Sequence, residues 1–269
     1  MNQNIHPTAI IHPTAKIDPT ATVGPYAIIG EDVVIGAETA IGPHARVEFV
    51  HMGKNNRIMG GAFVGVPPQD IKYAGQKTRL VLGDHNTVRE CATLNRGTEA
   101  TGETRIGSHC LFMAYSHVAH DCRLGDNVIL VNSVALAGHV EIGDYCVLGG
   151  ISAVHQFVKI GPFVMVSGGS MVGKDIPPFC VAQGDRATLR GLNVIGLRRS
   201  GLPRETISAI REAYKVLFLR GITQEAALAE LKRSNQPKEV LGMIAFVEAS
   251  KRGVMRPAIG AQAEEEVAL

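Results

Sequence analysis

The stretch AYSHVAHDC at residues 114–122 sets His117 and His120 three apart and puts Asp121 beside the second histidine. Histidine has an unperturbed pKa of about 6.5, so an imidazole is mostly neutral near pH 7 and ready to take a proton. Three chemistries use such residues. Three imidazoles around an open fourth position hold zinc. One neutral imidazole acts as a general base. A cluster of them binds an anionic ligand. Which of these applies depends on what surrounds the histidines.

Those surroundings are set by a repeat. Every sixth residue from Ile5 is Ile5, Ile11, Ile17, Val23, Ile29, Ile35, Ile41 and Val47. The register slips by one, resumes at Met52, Ile58 and Val64, and returns after a loop at Leu82, Val88 and Leu94. After a second loop it runs from Ile106 through Phe112, Val118, Leu124, Leu130, Leu136, Ile142, Leu148, Val154, Ile160 and Val166 to Val172. Six matches neither the helical period of about 3.6 residues nor the strand period of about 2. A short strand and a turn per hexad, three hexads per coil, gives a triangular parallel β-helix with coils about 4.8 Å apart. The fifth slot agrees, since it holds small residues such as Ala9, Ala21, Ala45, Ala92, Cys110, Cys122, Cys146 and Ser152, suited to an inward corner. The second slot is often Gly, which is expected where a turn needs positive φ.

Hexads three apart lie on the same face of successive coils, so VAHDCR from Val118, LAGHVE from Leu136 and VHQFVK from Val154 are stacked. His120, His139, His155 and Gln156 then rise in an outward column, with His117 at the adjoining corner and Gly138 over His120. A glycine there exposes a backbone amide suited to an oxyanion, and the column offers no further carboxylate or cysteine to complete a zinc site. GGSMVGKD, Gly168 to Lys174, has the frame of a phosphate-binding loop, but Asp175 replaces the required Ser or Thr and the hexads run on through it.

Composition narrows the class. Of 269 residues, 45% are hydrophobic, ample for a core, and the net charge of +2 argues against a nucleic-acid partner drawn by bulk charge. The N-terminus MNQNIHPTAI has no basic and then apolar leader, and no run of residues reads as a membrane-spanning helix, so a cytoplasmic protein is expected. The five cysteines form no CxxC pair, which suggests neither a zinc knuckle nor a disulfide framework.

The β-helix is expected over residues 1–190, interrupted by projecting loops at 65–79 and 96–105, where function commonly resides. IPPF and AQGDRAT read as an exit loop. A helical domain follows over 191–256: Pro203 opens a helix that Gly221 ends, Thr223 caps a second, and Pro237 begins a third. Residues 257–269, with Glu264, Glu265 and Glu266, read as a disordered tail.

With these residues assembled, the chain resembles the UDP-N-acetylglucosamine acyltransferases that begin lipid A biosynthesis. The resemblance runs from Ile5 to about Gly253 and rests on QDIKYAG, HVAHDC, LAGHVEIGD, AVHQF, KDIPPF and GLNVIGLRRSG, in that order. It implies a left-handed β-helix, a homotrimer with active sites between neighbouring subunits, and no metal or other cofactor. By the same resemblance His120 is the general base and Asp121 its partner, acting on the glucosamine 3-hydroxyl, which attacks a 3-hydroxyacyl thioester on acyl carrier protein. Gly138 supplies the oxyanion amide. Asp70, Lys72, His117, His139, His155 and Gln156 position the nucleotide sugar, Asn193 and Arg199 contact the nucleotide, and Gly168 limits acyl-chain length. An acidic carrier protein would dock on Arg198, Arg204, Arg211, Lys215 and Arg220. Three departures, Asn95 for a usual His, Ile195 for Glu and Ser200 for Arg, leave open a 3-amino acceptor. A CoA-dependent acetyltransferase is the same-fold alternative.

Overall fold

A computed structural model of the chain describes residues 4–258. Most of its strands are two residues long, and they form sheets of nine, eight and ten strands. Along each sheet, neighbours are three strands apart in chain order through nearly the whole stack, the mark of a coil that visits three faces per turn. The first face includes His117–Val118, Ala135–Leu136, Ala153–Val154 and Met171–Val172. The second includes Arg123–Leu124, Glu141–Ile142 and Lys159–Ile160, and the third Leu111–Phe112, Ile129–Leu130, Val147–Leu148 and Met165–Val166. Val118, Leu136 and Val154 are direct partners in register, as the hexad count requires.

The first slot fills the prism: Leu94, Phe112, Val118, Leu130, Leu136 and Leu148 are completely buried. Truncating one of them, as in Leu136→Ala, costs about 2–5 kcal/mol because the stacked neighbours cannot collapse into the gap. In the fifth slot Cys110, Cys122 and Cys146 are buried too. Burial pushes their thiols up to about 11, 12 and 12 respectively, so they pack as small apolar groups.

Glycine in the second slot has a different cause from the one expected. Positive φ falls on the fourth slot, where non-glycine residues such as Asp121, His139 and Phe157 take φ of 59°, 61° and 64°. In the second slot the next coil comes too close for a side chain: a Cβ on Gly42 would lie 2.7 Å from the Gly60 nitrogen.

The expected exit loop is a hairpin. Cys180–Gln183 continues the third face and pairs antiparallel with Thr188–Leu192. Four helices follow: α1 (Val194–Arg199), α2 (Arg204–Phe218), α3 (Gln224–Leu231) and α4 (Lys238–Ala249). The first was not anticipated, because six residues are too few to show a helical period. It is capped by Asn193, whose Oδ1 accepts the Gly196 N–H at 2.9 Å. Thr223 caps α3 as expected, its Oγ1 accepting the Ala226 N–H at 3.2 Å. Ile210, Ala213, Leu217, Val240, Met243 and Ile244 form the helical core. Of the tail expected from 257, Pro257 bridges to Leu189, and residues 259–269 lie outside the described residues. Among the described residues no helix is long and apolar enough to cross a membrane.

Candidate active site

His120 and Asp121 sit in the third and fourth slots of their hexad, at the corner between the first and second faces. Adjacent residues of a strand point to opposite faces. The left-handed φ of 59° at Asp121 breaks that rule and turns its carboxylate back toward the preceding side chain. The result is a contact of 2.8 Å between His120 Nδ1 and Asp121 Oδ2. An ionised carboxylate can only accept, so Nδ1 carries the proton and Nε2 presents a free lone pair.

The Asp121 side chain is completely covered, although its slot faces out from the prism. The cover is the loop at 96–102, shorter than the expected 96–105 because Glu103–Ile106 is a strand of the second face. Thr98 donates its backbone N–H to Oδ1 at 3.0 Å and its hydroxyl to Oδ2 at 2.6 Å, and the Thr101 hydroxyl donates to Oδ1. Burial works to raise the pKa of Asp121, but the hydrogen bonds from Thr101, Thr98 and His120 outweigh it and hold the carboxyl below its usual range. Neither threonine was singled out in the sequence. The short T-x-x-T run in a loop is too common a signal to have found them.

Gly138 stands one coil from His120, and its role is steric first. A Cβ there would lie 2.5 Å from His120 Cε1 and 2.8 Å from Nε2, so only glycine leaves room for the imidazole. The Gly138 N–H donates no hydrogen bond among the described residues.

The other histidines divide by environment. His117 is part-buried, with Nδ1 2.6 Å from the Thr93 hydroxyl, and burial, followed by the nearby His120, lowers its pKa. His139 meets the His120 ring edge-on at a centroid distance of 5.3 Å, stacks on Phe157 at 4.5 Å, and places Nε2 3.6 Å from Asp121 Oδ2. His155 and Gln156 are exposed one coil beyond Gly138. His155 touches Arg252, a residue the sequence reading missed.

Asp70 and Lys72 ride on the expected loop at 65–79, where Asp70 Oδ1 accepts the Lys72 N–H at 2.9 Å. The loop is tied down through the buried Arg96, which donates to the Tyr73 hydroxyl at 3.0 Å and to the Gly65 carbonyl at 2.9 Å. Asn193 spends its amide on the α1 cap and on the Phe163 carbonyl, while Arg199 is exposed at the end of α1. Gly168 lies at the next corner, between the third and first faces, so the outward row Ala135, Ala153 and Met171 separates it from His120. Of the basic residues expected to meet the carrier protein, Arg220, just past the end of α2, is engaged by Glu212 and Glu230.

Among the described residues, His120, Asp121 and His139 are the one group of such side chains near enough to share a metal ion, their ligand atoms lying within 4.8 Å of one another. Both Asp121 oxygens already accept hydrogen bonds from the threonines and His120.

Comparison with known proteins agrees with this arrangement. Residues 103–138 match the bacterial transferase hexapeptide family, described as six repeats, and residues 175–255 match the second domain of UDP N-acetylglucosamine O-acyltransferase. The acyl-acyl-carrier-protein:UDP-N-acetylglucosamine O-acyltransferase of Rippkaea orientalis is 56% identical over 257 residues, which cover 95% of this chain and 93% of that protein. Its counterpart in Anaeromyxobacter is 46% identical over 207 residues, covering 76% and 80%. The crystal structure of the Moraxella catarrhalis UDP-N-acetylglucosamine O-acyltransferase superposes with a TM-score of 0.92 at 42% identity, over 94% of this chain and all of that one. The Campylobacter jejuni acyltransferase superposes at 0.89 with 39% identity, over 94% and 100%. A β-helix of opposite hand would not overlay in this way, so the fold is the left-handed form. By sequence and by structure, this chain belongs to the UDP-N-acetylglucosamine O-acyltransferases.

Proposed function

We propose that this enzyme moves a 3-hydroxyacyl group from acyl carrier protein to the 3-hydroxyl of UDP-N-acetylglucosamine, the first step of lipid A biosynthesis. His120 Nε2 takes the proton of the 3-hydroxyl as the oxygen attacks the thioester carbonyl. A C–O bond forms, and the carbonyl oxygen becomes an oxyanion, for which the Gly138 N–H, committed to no hydrogen bond among the described residues, is the donor. Its collapse breaks the C–S bond, and the departing thiolate takes the proton from the His120 imidazolium. No redox step arises, and the atoms balance without a cofactor. Asp121 holds the imidazole in the tautomer that leaves Nε2 free and stabilises the cation that forms.

The observation that carries this reading is the 2.8 Å contact between His120 Nδ1 and Asp121 Oδ2, made beside a glycine whose missing side chain leaves room for the imidazole. Asp70, Lys72, His117, His139, His155, Gln156 and Arg199 are assigned to the nucleotide sugar. Asn193, occupied in capping, acts there by holding α1. A homotrimer is supported by the chemistry of the faces. On the first face the outward row holds Thr93 and His117 and then turns apolar at Ala135, Ala153 and Met171, and on the third it holds Leu111, Ile129, Val147 and Met165, whereas the second carries Arg123, Glu141 and Lys159. Two apolar faces per subunit are what a three-fold assembly buries.

The test is the mass of the product formed from UDP-N-acetylglucosamine, its 3-amino analogue and acetyl-CoA or 3-hydroxyacyl carrier protein. Ester formation with the carrier-linked donor supports the proposal. Preference for the amine or for acetyl-CoA overturns it in favour of one of the alternatives.

A further inference from the structure

Past α4 the chain folds back on the β-helix, and the buried Asp175 fixes it there. Asp175 is 1% exposed. Its Oδ1 accepts the Lys159 N–H at 2.8 Å and its Oδ2 accepts the Ser250 hydroxyl at 2.7 Å. Its own N–H donates to the Gly253 carbonyl at 3.1 Å, and its carbonyl accepts the Met255 N–H at 2.8 Å. This explains the aspartate that ended the phosphate-loop frame: it anchors a strap on both sides of Arg252.

Arg252 therefore arrives at a set place. Its Nε donates to the Gly173 carbonyl at 2.8 Å, and a terminal nitrogen lies 2.8 Å from His155 Nδ1. A guanidinium has donors and no acceptor. His155 Nδ1 also lies 3.2 Å from the Gln156 carbonyl, an acceptor that would ask for the opposite tautomer, but the contact to the charged guanidinium is shorter by 0.4 Å and makes Nδ1 the acceptor, with the ring hydrogen of a neutral imidazole on Nε2. His120 is the reverse case, with its hydrogen on Nδ1 facing Asp121. Two histidines of one corner, two coils apart, are held in opposite tautomers. One offers a lone pair at Nε2, and the other a hydrogen-bond donor.

We propose that Arg252 is a positioning residue that holds His155 in its Nε2–H form, so that His155 donates a hydrogen bond to a diphosphate oxygen of the sugar nucleotide. This rests on the acyl-transfer reading above. Two coils place His155 about 10 Å along the prism from His120 at ~4.8 Å per coil, a separation that lets one nucleotide sugar meet both. An anionic oxygen is the acceptor best suited to a fixed N–H beside a guanidinium.

The experiment has two parts. Nitrogen-15 NMR of the free enzyme, with His155→Gln used to assign the signal, should show His155 as the Nε2–H tautomer and should show Arg252→Met losing that preference. In kinetics, Arg252→Met should raise KM for UDP-N-acetylglucosamine about tenfold, on the scale of one hydrogen bond to a charged group, with kcat within about twofold. The same substitution made in a His155→Gln background should change KM by less than about twofold, because the glutamine amide donates whichever residue stands at 252. An Nδ1–H tautomer in the unmodified enzyme overturns the proposal. So does an unchanged KM in Arg252→Met, or a loss that persists in full in the His155→Gln background, which would mark a general disturbance of the strap. If the unmodified enzyme transferred no acyl chain to this acceptor, the acyl-transfer reading would fail instead, and the NMR result, which needs no substrate, would still decide the tautomer.

Discussion

The Thr98 hydroxyl donates to Asp121 Oδ2 at 2.6 Å across 23 residues of chain. The projecting loop thus does more than border the site, since it supplies the hydrogen bonds that keep a covered carboxylate charged. Thr98→Val removes one of the hydrogen bonds that offset burial and should raise the Asp121 pKa. The Asp121 carboxyl then titrates at higher pH, which carbon-13 NMR of the side chain follows directly. The stability that Asp121 lends, present above the ordinary carboxylate range and lost as pH falls through its lowered value, shrinks in the same variant. A carboxyl titration in the same place for both enzymes would show that Thr98 does not support the carboxylate.

Gly138→Ala introduces a Cβ 2.5 Å from His120 Cε1, and the ring must move to admit it. Gly138 has no positive φ, so the backbone itself accepts alanine. The expected outcome is a fall in kcat of about 10²-fold, the cost of misplacing a reacting group by about 1 Å, with an unchanged melting temperature. Full activity in this variant would mean that the His120 position is not critical.

Gly168→Met should shift donor preference toward shorter acyl chains. A chain leaving the thioester near His120 can cross the first face over the small side chains of Ala135 and Ala153 and meet Gly168 at the far corner. Overpacking a fitted apolar path costs about 1–3 kcal/mol, roughly a tenfold to hundredfold loss with the long donor. A Cβ at this position comes within 3.2 Å of the Gly150 carbonyl, so the melting temperature must be recorded alongside. An unchanged ratio in a direct competition of long and short donors would place the end of the groove elsewhere.

Reversing Arg211 and Lys215 to glutamate should raise KM for the carrier-linked donor and flatten its dependence on salt. The two lie four apart on α2 and have no acidic partner within salt-bridge distance among the described residues, unlike Arg220. Equal KM values and equal salt slopes before and after reversal would exclude this docking face.

The β-helix was legible because its core leaves a strict six-residue trace, Val118, Leu136 and Val154 stacking as counted. The column of His120, Gly138 and Gln156 followed from the same count. The His120–Asp121 pairing came from the family resemblance and not from the residue pattern, since neighbours in an extended chain diverge and the left-handed φ at Asp121 is what brings them together. The cover over Asp121 was hidden for another reason: loops have no period, so nothing in RGTEATGETR says which way Thr98 and Thr101 face. Arg252 lies 97 residues from His155, and its approach depends on one buried aspartate that the sequence offered only as a failed phosphate-loop residue. The glycines of the second slot were legible as necessary, but for the wrong reason, because coil-to-coil distance cannot be read from a single repeat.

The central claim is that His120 removes the proton from the attacking hydroxyl, and turnover by His120→Ala tests it most directly. The variant should fold and melt as the unmodified enzyme does, because the side chain lies outside the prism core. Its turnover of UDP-N-acetylglucosamine with 3-hydroxyacyl carrier protein should fall by about 10² to 10⁴, the contribution of a positioned general base. Near-normal turnover by the folded variant would contradict the account.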